Sequence, residues 1–314
     1  MKPRLLVIRG GAIGDFIVTL PAIRLLRGAF PDAHLEILGY RHIVALAERC
    51  GYAEAAEVRP YADASRSIEY SAMAGFFIPR SELAPDLVEY FAGFQQIVSY
   101  LFDPDGFFEA NLRRAGVKNF LPAFARIDDS AHAAHQLARP LQSLALFLDD
   151  PAPTLHPDEA SRTFAETLLR GMRSPPVAIH PGSGSPSKNW PLARWRDLGL
   201  RLFDRGHELL LIGGEADQPQ LAALRTAWAG RPFREAINLP LPHLAAVFAR
   251  CRLFLGHDSG VSHLAAAAGC RCVLLFGPTD PAVWAPANRH VTLLEAPAGD
   301  FAQISVEAVE AAAR

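Results

Sequence analysis

The sequence predicts an α/β protein made of two doubly wound parallel-sheet domains. Three observations predict it. Apolar runs such as Leu5-Leu6-Val7-Ile8, with no polar alternation, read as strands buried on both faces. Helical periodicity follows several of these runs, so strand and helix alternate along the chain. In the second half, strand after strand ends in a small, polar loop, the pattern of a sheet edge that receives a ligand. At 314 residues the chain has room for two cores.

The first strand runs into Arg9-Gly10-Gly11-Ala12-Ile13-Gly14-Asp15. Phe16, Leu20, Ile23 and Leu26 then mark a helix, with Pro21 in its first turns. His34 to Leu38 is the second strand and Ile43 to Cys50 the second helix. The glycines form G-G-x-x-G rather than G-x-G-x-x-G, and the second strand ends Leu38-Gly39-Tyr40, without an acid for a ribose. Both departures argue against a dinucleotide cofactor. Asp15 has two readings. It is either a helix N-cap or a carboxylate at the C-terminal edge of strand one, placed to act as a general base.

Between about Tyr61 and Leu121 the periodicity weakens. Phe76, Phe77, Ile78, Phe91, Phe94, Phe107 and Phe108 cluster there with Arg66, Arg80, Arg113, Arg114 and Lys118. They are either core aromatics beneath a solvated basic surface or a groove for an amphipathic, anionic acceptor. Ala131 to Leu148 reads as one helix. Asp149-Asp150-Pro151-Ala152-Pro153 is the best linker, so domains of 1–153 and 154–314 follow.

In the second half, Val177 to His180 is a strand. It ends in Pro181-Gly182-Ser183-Gly184-Ser185-Pro186-Ser187-Lys188-Asn189-Trp190-Pro191. Backbone N–H groups and hydroxyls in such a loop can approach an anion closely. Lys188 adds a point charge suited to a phosphate oxygen, and it draws notice because the chain has lysines only at positions 2, 118 and 188. The bland alternative is a surface lysine. A helix follows from Leu192 to Phe203. Glu208 to Ile212 is the next strand, ending Gly213-Gly214-Glu215, where Glu215 either holds a ribose or caps the helix starting near Asp217. After a helix over His243 to Ala249, Leu253-Phe254-Leu255 leads into Gly256-His257-Asp258-Ser259-Gly260-Val261-Ser262-His263. Asp258 or Ser259 can cap the helix beyond, whose N-terminus then faces outward as an anion site, and Gly269 stops that helix. Cys272 to Phe276 is a last strand, ending Gly277-Pro278-Thr279-Asp280. In one parallel sheet these four loop-bearing ends share an edge and describe a nucleotide-diphosphate site. No Walker lysine motif is present.

Half of the residues are hydrophobic, a fifth are charged and the formal net charge is −2. That balance excludes bulk attraction to nucleic acid. Cys50, Cys251, Cys270 and Cys272 show no metal-ligand spacing and read as buried thiols in a reducing compartment. No apolar run approaches a membrane span, and the N-terminus reads as a strand rather than a signal peptide.

Gly14-Asp15 with Thr19-Leu20-Pro21-Ala22, His180-Pro181-Gly182-Ser183 with Lys188 and Trp190-Pro191, Asp258-Ser259-Gly260-x-x-His263, and Phe276-Gly277-Pro278-Thr279 occur in this order. Together they resemble glycosyltransferase family 9, which comprises the lipopolysaccharide heptosyltransferases and close relatives. The resemblance covers about the first forty residues and most of 177–281. It implies the GT-B fold, two Rossmann-like domains facing a cleft. The N-terminal domain would take the acceptor and the C-terminal domain a nucleotide-diphosphate sugar, usually ADP-heptose. Transfer would invert the anomeric centre. By the same resemblance Asp15 is the catalytic base and Gly10, Gly11 and Gly14 form the acceptor-side loop. Gly182, Ser183, Gly184, Lys188, Asp258, Ser259, Gly260 and His263 bind the donor, with Glu215 on the ribose. No metal site and no required cofactor are implied, a divalent cation being at most stimulatory. The expected setting is a cytoplasmic monomer with peripheral contact at the inner membrane face. The acceptor is a lipid-linked or lipopolysaccharide-core glycan. The segment from Ser305 to Ala313 reads as a helix, and in the GT-B fold such a helix often crosses back to the first domain. Two other readings stand beside this one: a GT-B-like module that binds a nucleotide sugar without catalysis, and a nucleotide-sugar epimerase or hydrolase.

Overall fold

The structure is a computed structural model and describes residues 2–54 and 57–314. The chain forms two compact units. One holds the residues through Asp128 together with Ala133–Pro151, and the other holds Asp129–His132 with Ala152–Arg314.

The first unit runs β1 (Arg4–Arg9), α1 (Ile13–Ala29), β2 (His34–Gly39), α2 (Arg41–Arg49), β3 (Cys50–Glu54), β4 (Glu57–Pro60), β5 (Ala64–Ser67), α3 (Pro85–Ala92), β6 (Gln96–Ser99), α4 (Phe107–Arg114), β7 (Phe120–Pro122) and α5 (Ala133–Ala138). Its parallel sheet has the order β5-β2-β1-β6-β7. Val7 sits opposite Ile37 on one side and Val98 on the other. Leu6, Val7 and Ile8 are wholly buried, which is why the β1 run carries no polar alternation. β3 and β4 form an antiparallel pair.

Four of the aromatics in the unassigned region are core. Phe76, Phe91, Phe94 and Phe108 pack with Leu6, Ile8 and Ile97, each buried side chain contributing about 1.5–3 kcal/mol. Phe77, Ile78 and Phe107 remain exposed. The single helix expected over Ala131 to Leu148 is instead α5 followed by a 3₁₀ turn, Arg139–Leu144. Pro140 explains the break, because it lacks an N–H and its ring clashes with the preceding turn. Pro21, by contrast, lies in the middle of α1 and is buried there.

The second unit runs β8 (His156–Pro157), α6 (Glu159–Leu169), β9 (Val177–Ile179), α7 (Leu192–Asp204), β10 (Leu209–Gly213), α8 (Gln218–Ala227), β11 (Phe233–Ile237), α9 (Leu241–Phe248), β12 (Leu253–His257), α10 (Gly260–Ala267), β13 (Cys272–Phe276), α11 (Pro281–Trp284), β14 (Val291–Glu295) and α12 (Val306–Ala312). Its parallel sheet has the order β11-β10-β9-β12-β13-β14. The core combines sheet aliphatics with Trp190, Trp195 and Trp228. Edge strands β11 and β14 were not legible in the sequence, because Arg234, Glu235 and Thr292 interrupt their apolar runs. The C-terminal helix, read from the sequence as able to return to the first domain, lies on α7. There Arg201 bridges Glu307 at 2.5 Å and Glu310 at 3.2 Å.

Candidate active site

In the second sheet the chain starts at β9, builds outward through β10 and β11, then returns to β12 and builds the other way. β9 and β12 therefore flank the point where the strand order reverses, and ligands bind outside the strand ends at such a point. The loops leaving these two strands are the Gly/Ser-rich stretch after Ile179 and the turn into α10.

The two loops are tied together by charge. Lys188 Nζ lies 2.6 Å from Asp258 Oδ2, with the lysine side chain about a third exposed and the aspartate nearly buried. An ammonium has three donors, so the ion pair leaves protons for another acceptor. Lys188 is thus no stray surface lysine. Ser259 is the N-cap of α10, accepting from the Ser262 N–H at 3.3 Å, so the cap falls to Ser259 rather than Asp258. Gly260 opens the helix and His263 is buried within it. Gly269, at φ 84°, lies just past its end.

The Gly/Ser loop is itself ordered. Ser183 Oγ donates to the Ser185 carbonyl at 2.7 Å and accepts the Ser185 N–H. Lys188 ends a 3₁₀ turn over Pro186–Lys188. Gly184 is exposed, with nothing within 4 Å of where a Cβ would stand.

Two residues that the sequence reading passed over brace these loops. Asp217 Oδ2 accepts from His180 Nε2 at 3.1 Å and from the Gly214 N–H at 2.8 Å. Hydrogen bonding and charge from His180 and the Gly214 N–H hold the Asp217 carboxyl below its ordinary range, against burial, which is the largest influence and acts the other way. A Cβ on Gly182 would stand 1.8 Å from Asp217 Oδ1, so only glycine fits there. Capping of the turn after β10 therefore belongs to Asp217, and Glu215 stands exposed at the head of that turn. The second brace is His257, wholly buried at the end of β12. Its Nε2 accepts the Trp190 N–H at 2.7 Å and its Nδ1 lies 3.2 Å from the Gly182 carbonyl. A His in a strand end reads from sequence as any polar boundary residue, so neither brace had a local signal.

In the first sheet β1 and β6 flank the corresponding reversal. Ala12, not Asp15, is the N-cap of α1. Asp15 is the third residue of the helix, and its Oδ2 accepts the Ala12 N–H at 3.0 Å. Its side chain is 39% exposed, so a capping bond and access to solvent coexist. Gly11, at φ 99°, would place a Cβ 2.9 Å from Asp15 Oδ2, so glycine is required by both conformation and space. Gly14 lies inside α1, and a Cβ on Gly10 would stand 3.3 Å from Leu101. Arg9, another residue without a sequence signal, donates to the Asp15 carbonyl at 3.1 Å and to Thr19 Oγ1 at 3.0 Å. Its guanidinium lies 3.9 Å from Asp15 Oδ1. Burial pulls the Arg9 pKa below the usual arginine range, with Asp15 acting against it. Beyond β6 and β7, a hollow of about 160 Å³ is lined by Leu101, Phe102, Asp103, Phe120 and Phe124. The rings of Phe102 and Phe124 are exposed and 4.9 Å apart.

Among the described residues no three His, Cys, Asp or Glu side chains form a metal-ligating group. None of the described helices is long and apolar enough to cross a membrane.

The family model of glycosyltransferase family 9 (heptosyltransferase) matches residues 118–310, more than half of the chain. The chain belongs to glycosyltransferase family 9. Lipooligosaccharide heptosyltransferase 2 of Haemophilus ducreyi is 30% identical to this family 9 chain over 147 residues, covering 44% of the chain and 42% of the relative. The chain spans less than half the length of the first curated relatives it matches. Two solved structures are similar over nearly their whole length. The family 9 glycosyl transferase from Veillonella parvula has a TM-score of 0.78 at 20% identity, covering 99% of this chain and 96% of its own. The E. coli heptosyltransferase WaaC with ADP has a TM-score of 0.68 at 20% identity, covering 98% of each chain. This family 9 chain has the GT-B fold of those two glycosyltransferase structures, as the four loop motifs led us to expect.

Proposed function

We propose that the protein is an inverting glycosyltransferase. It moves heptose or a related sugar from a nucleotide-diphosphate donor, ADP-heptose by preference, to a lipopolysaccharide-core or other glycan acceptor. The observation that carries this reading is the Lys188–Asp258 contact at the β9/β12 reversal, beside the capped N-terminus of α10. A lysine with spare donors, serine hydroxyls and a helix N-terminus supply the positive potential that a leaving diphosphate needs. Gly182, Ser183, Gly184, Gly260 and His263 complete the donor-side loops, and exposed Glu215 is free to reach a ribose. The preference for adenine rests on the family, one of whose solved members is a heptosyltransferase with ADP.

On the acceptor side, Asp15 takes the proton of the attacking hydroxyl as that oxygen bonds to the anomeric carbon and the C–O bond to the diphosphate breaks. Its Oδ2 is engaged by the helix N-terminus, which leaves Oδ1 as the basic atom. Gly10, Gly11 and Gly14, the acceptor-side loop, place no side chain in the approach to that carboxylate. The exposed Phe102–Phe124 pair offers a sugar ring an apolar surface. No cofactor is required in this reading, and a divalent cation at most stimulates. We place the enzyme in the cytoplasm as a monomer that meets its lipid-linked acceptor at the inner membrane face.

A thermal-shift series with ADP, UDP and GDP tests the donor assignment. A nucleotide at 100 times its dissociation constant adds about 2.7 kcal/mol of stability. The expected result is a shift with ADP that exceeds the other two. No shift with any nucleotide defeats the proposal. Turnover of ADP-heptose without acceptor, leaving transfer undetectable with core oligosaccharides, points instead to a hydrolase or epimerase.

A further inference from the structure

His257 ends β12 and has no exposed surface. Trp190 N is a backbone donor and cannot accept, so the ring nitrogen it meets, Nε2, carries the lone pair. The ring proton therefore sits on Nδ1 and is donated to the Gly182 carbonyl. One neutral imidazole thus bonds both ends of the loop that contains Ser183, Gly184 and Lys188. Burial pushes the His257 pKa down to about 3, so this tautomer persists throughout the working range. The ring is also wedged edge-on against Trp195 at 5.3 Å and Phe301 at 5.7 Å, which leaves it one orientation. The next residue, Asp258, holds Lys188. Two successive residues at one strand end therefore fix the loop at three points: its start, its end and its cation.

We propose that His257 is a positioning residue which holds the loop between β9 and α7 in its donor-binding shape. This rests on the nucleotide-sugar reading above. A loop pinned before the ligand arrives spends less of the binding free energy on ordering itself. Without the clip, Lys188 keeps its charge and its contact with Asp258, but the backbone on either side of it is no longer pinned.

ADP affinity, measured by calorimetry, tests this in the unaltered protein, His257→Phe, His257→Gln, Lys188→Met and the two double variants. Phenylalanine keeps the ring shape and removes both hydrogen bonds. Glutamine places an amide oxygen near the Nε2 position, where it can accept the Trp190 N–H. His257→Phe is expected to weaken ADP binding about tenfold or more, with the acceptor KM unchanged and His257→Gln lying between. Lys188→Met should cost less in the His257→Phe background than alone, because the loop no longer presents the lysine. A role confined to stability lowers the unfolding temperature but leaves the dissociation constant of the folded protein and the Lys188 effect untouched. That result overturns the proposal. Should His257→Phe fail to fold, His257→Gln carries the same comparison, and an unchanged affinity there is equally fatal. If ADP does not bind the unaltered protein, the donor reading fails and takes this one with it.

Discussion

Lys188 and Asp258 meet at 2.6 Å across the reversal point of the second sheet, although 70 residues separate them in sequence. The contact is both a tether and a charge balance. Removing the lysine takes away the proposed phosphate partner and strands a nearly buried carboxylate. Lys188→Met should weaken ADP binding by about tenfold or more, as expected for charged hydrogen bonds worth roughly 1.5–3 kcal/mol. Asp258→Asn keeps the lysine but frees it. The two changes should be non-additive by about 0.5–3 kcal/mol in a calorimetric double-mutant cycle. Strict additivity would show that the pair is incidental to nucleotide binding.

Asp15 carries a cap and a proposed chemical role on different oxygens. Asp15→Asn separates them, because an amide oxygen can still accept the Ala12 N–H. The expected outcome is transfer slowed by about 10²–10⁴-fold, with ADP binding and the unfolding temperature unchanged. Asp15→Ala should show the same kinetic loss and add a stability loss of about 0.5–2 kcal/mol from the missing cap. Transfer at the original rate in Asp15→Asn rules this carboxylate out as the base.

Much of this molecule was legible in the sequence wherever burial is uniform. Central strands such as β1, β12 and β13 announce themselves because both faces are covered, so Leu5 to Ile8, Leu253 to Leu255 and Cys272 to Phe276 are unbroken apolar runs. Edge strands β11 and β14 do not, because solvent on one flank admits Arg234, Glu235 and Thr292. The same contrast separates the site residues. Lys188 and Ser259 sit in, and Asp15 just beyond, glycine- or serine-rich stretches whose composition betrays a tight loop. His257 and Asp217 act through Gly182, Trp190 and His180, between 37 and 75 residues away in sequence, and no local pattern encodes such a partner. The first-half aromatics were ambiguous for a related reason. Core Phe76 and exposed Phe77 are adjacent and of one type, and only the path of the chain sends them opposite ways.

Gly182 and Gly184 sit two residues apart in one loop but stand in opposite surroundings. A methyl group on Gly182 would collide with Asp217 Oδ1, whereas one on Gly184 would meet nothing. Gly182→Ala should therefore displace Asp217 and break its bonds to His180 and Gly214. The expected loss is about 2–4 kcal/mol, the range for disrupting a buried polar network. Gly184→Ala should change stability by less than about 0.5 kcal/mol. Urea unfolding of both variants is the check, and equal midpoints for the two would contradict the packing described.

Acid should weaken the second unit through His257. Its ordinary pKa of 6.5 falls to about 3 on folding, chiefly by burial, with His180 acting in the same direction and the Gly182 carbonyl, Asp258 and Asp217 opposing it. Between those two values the unfolded chain binds a proton that the folded chain refuses. Stability from the neutral ring is thus fully present above about pH 6.5 and declines as pH falls toward 3, by up to about 1.4 kcal/mol per pH unit. The lowered Asp217 pKa acts in the same direction at the acid end, so the slope alone cannot be credited to one group. The difference between the unaltered protein and His257→Gln isolates it. That variant should be less stable near neutrality, and the gap should narrow as pH falls from 7 to 4, because glutamine has no proton to refuse. Urea midpoints at four or five pH values measure it. A gap that stays constant over that range would mean that His257 does not titrate differently in the folded and unfolded chains.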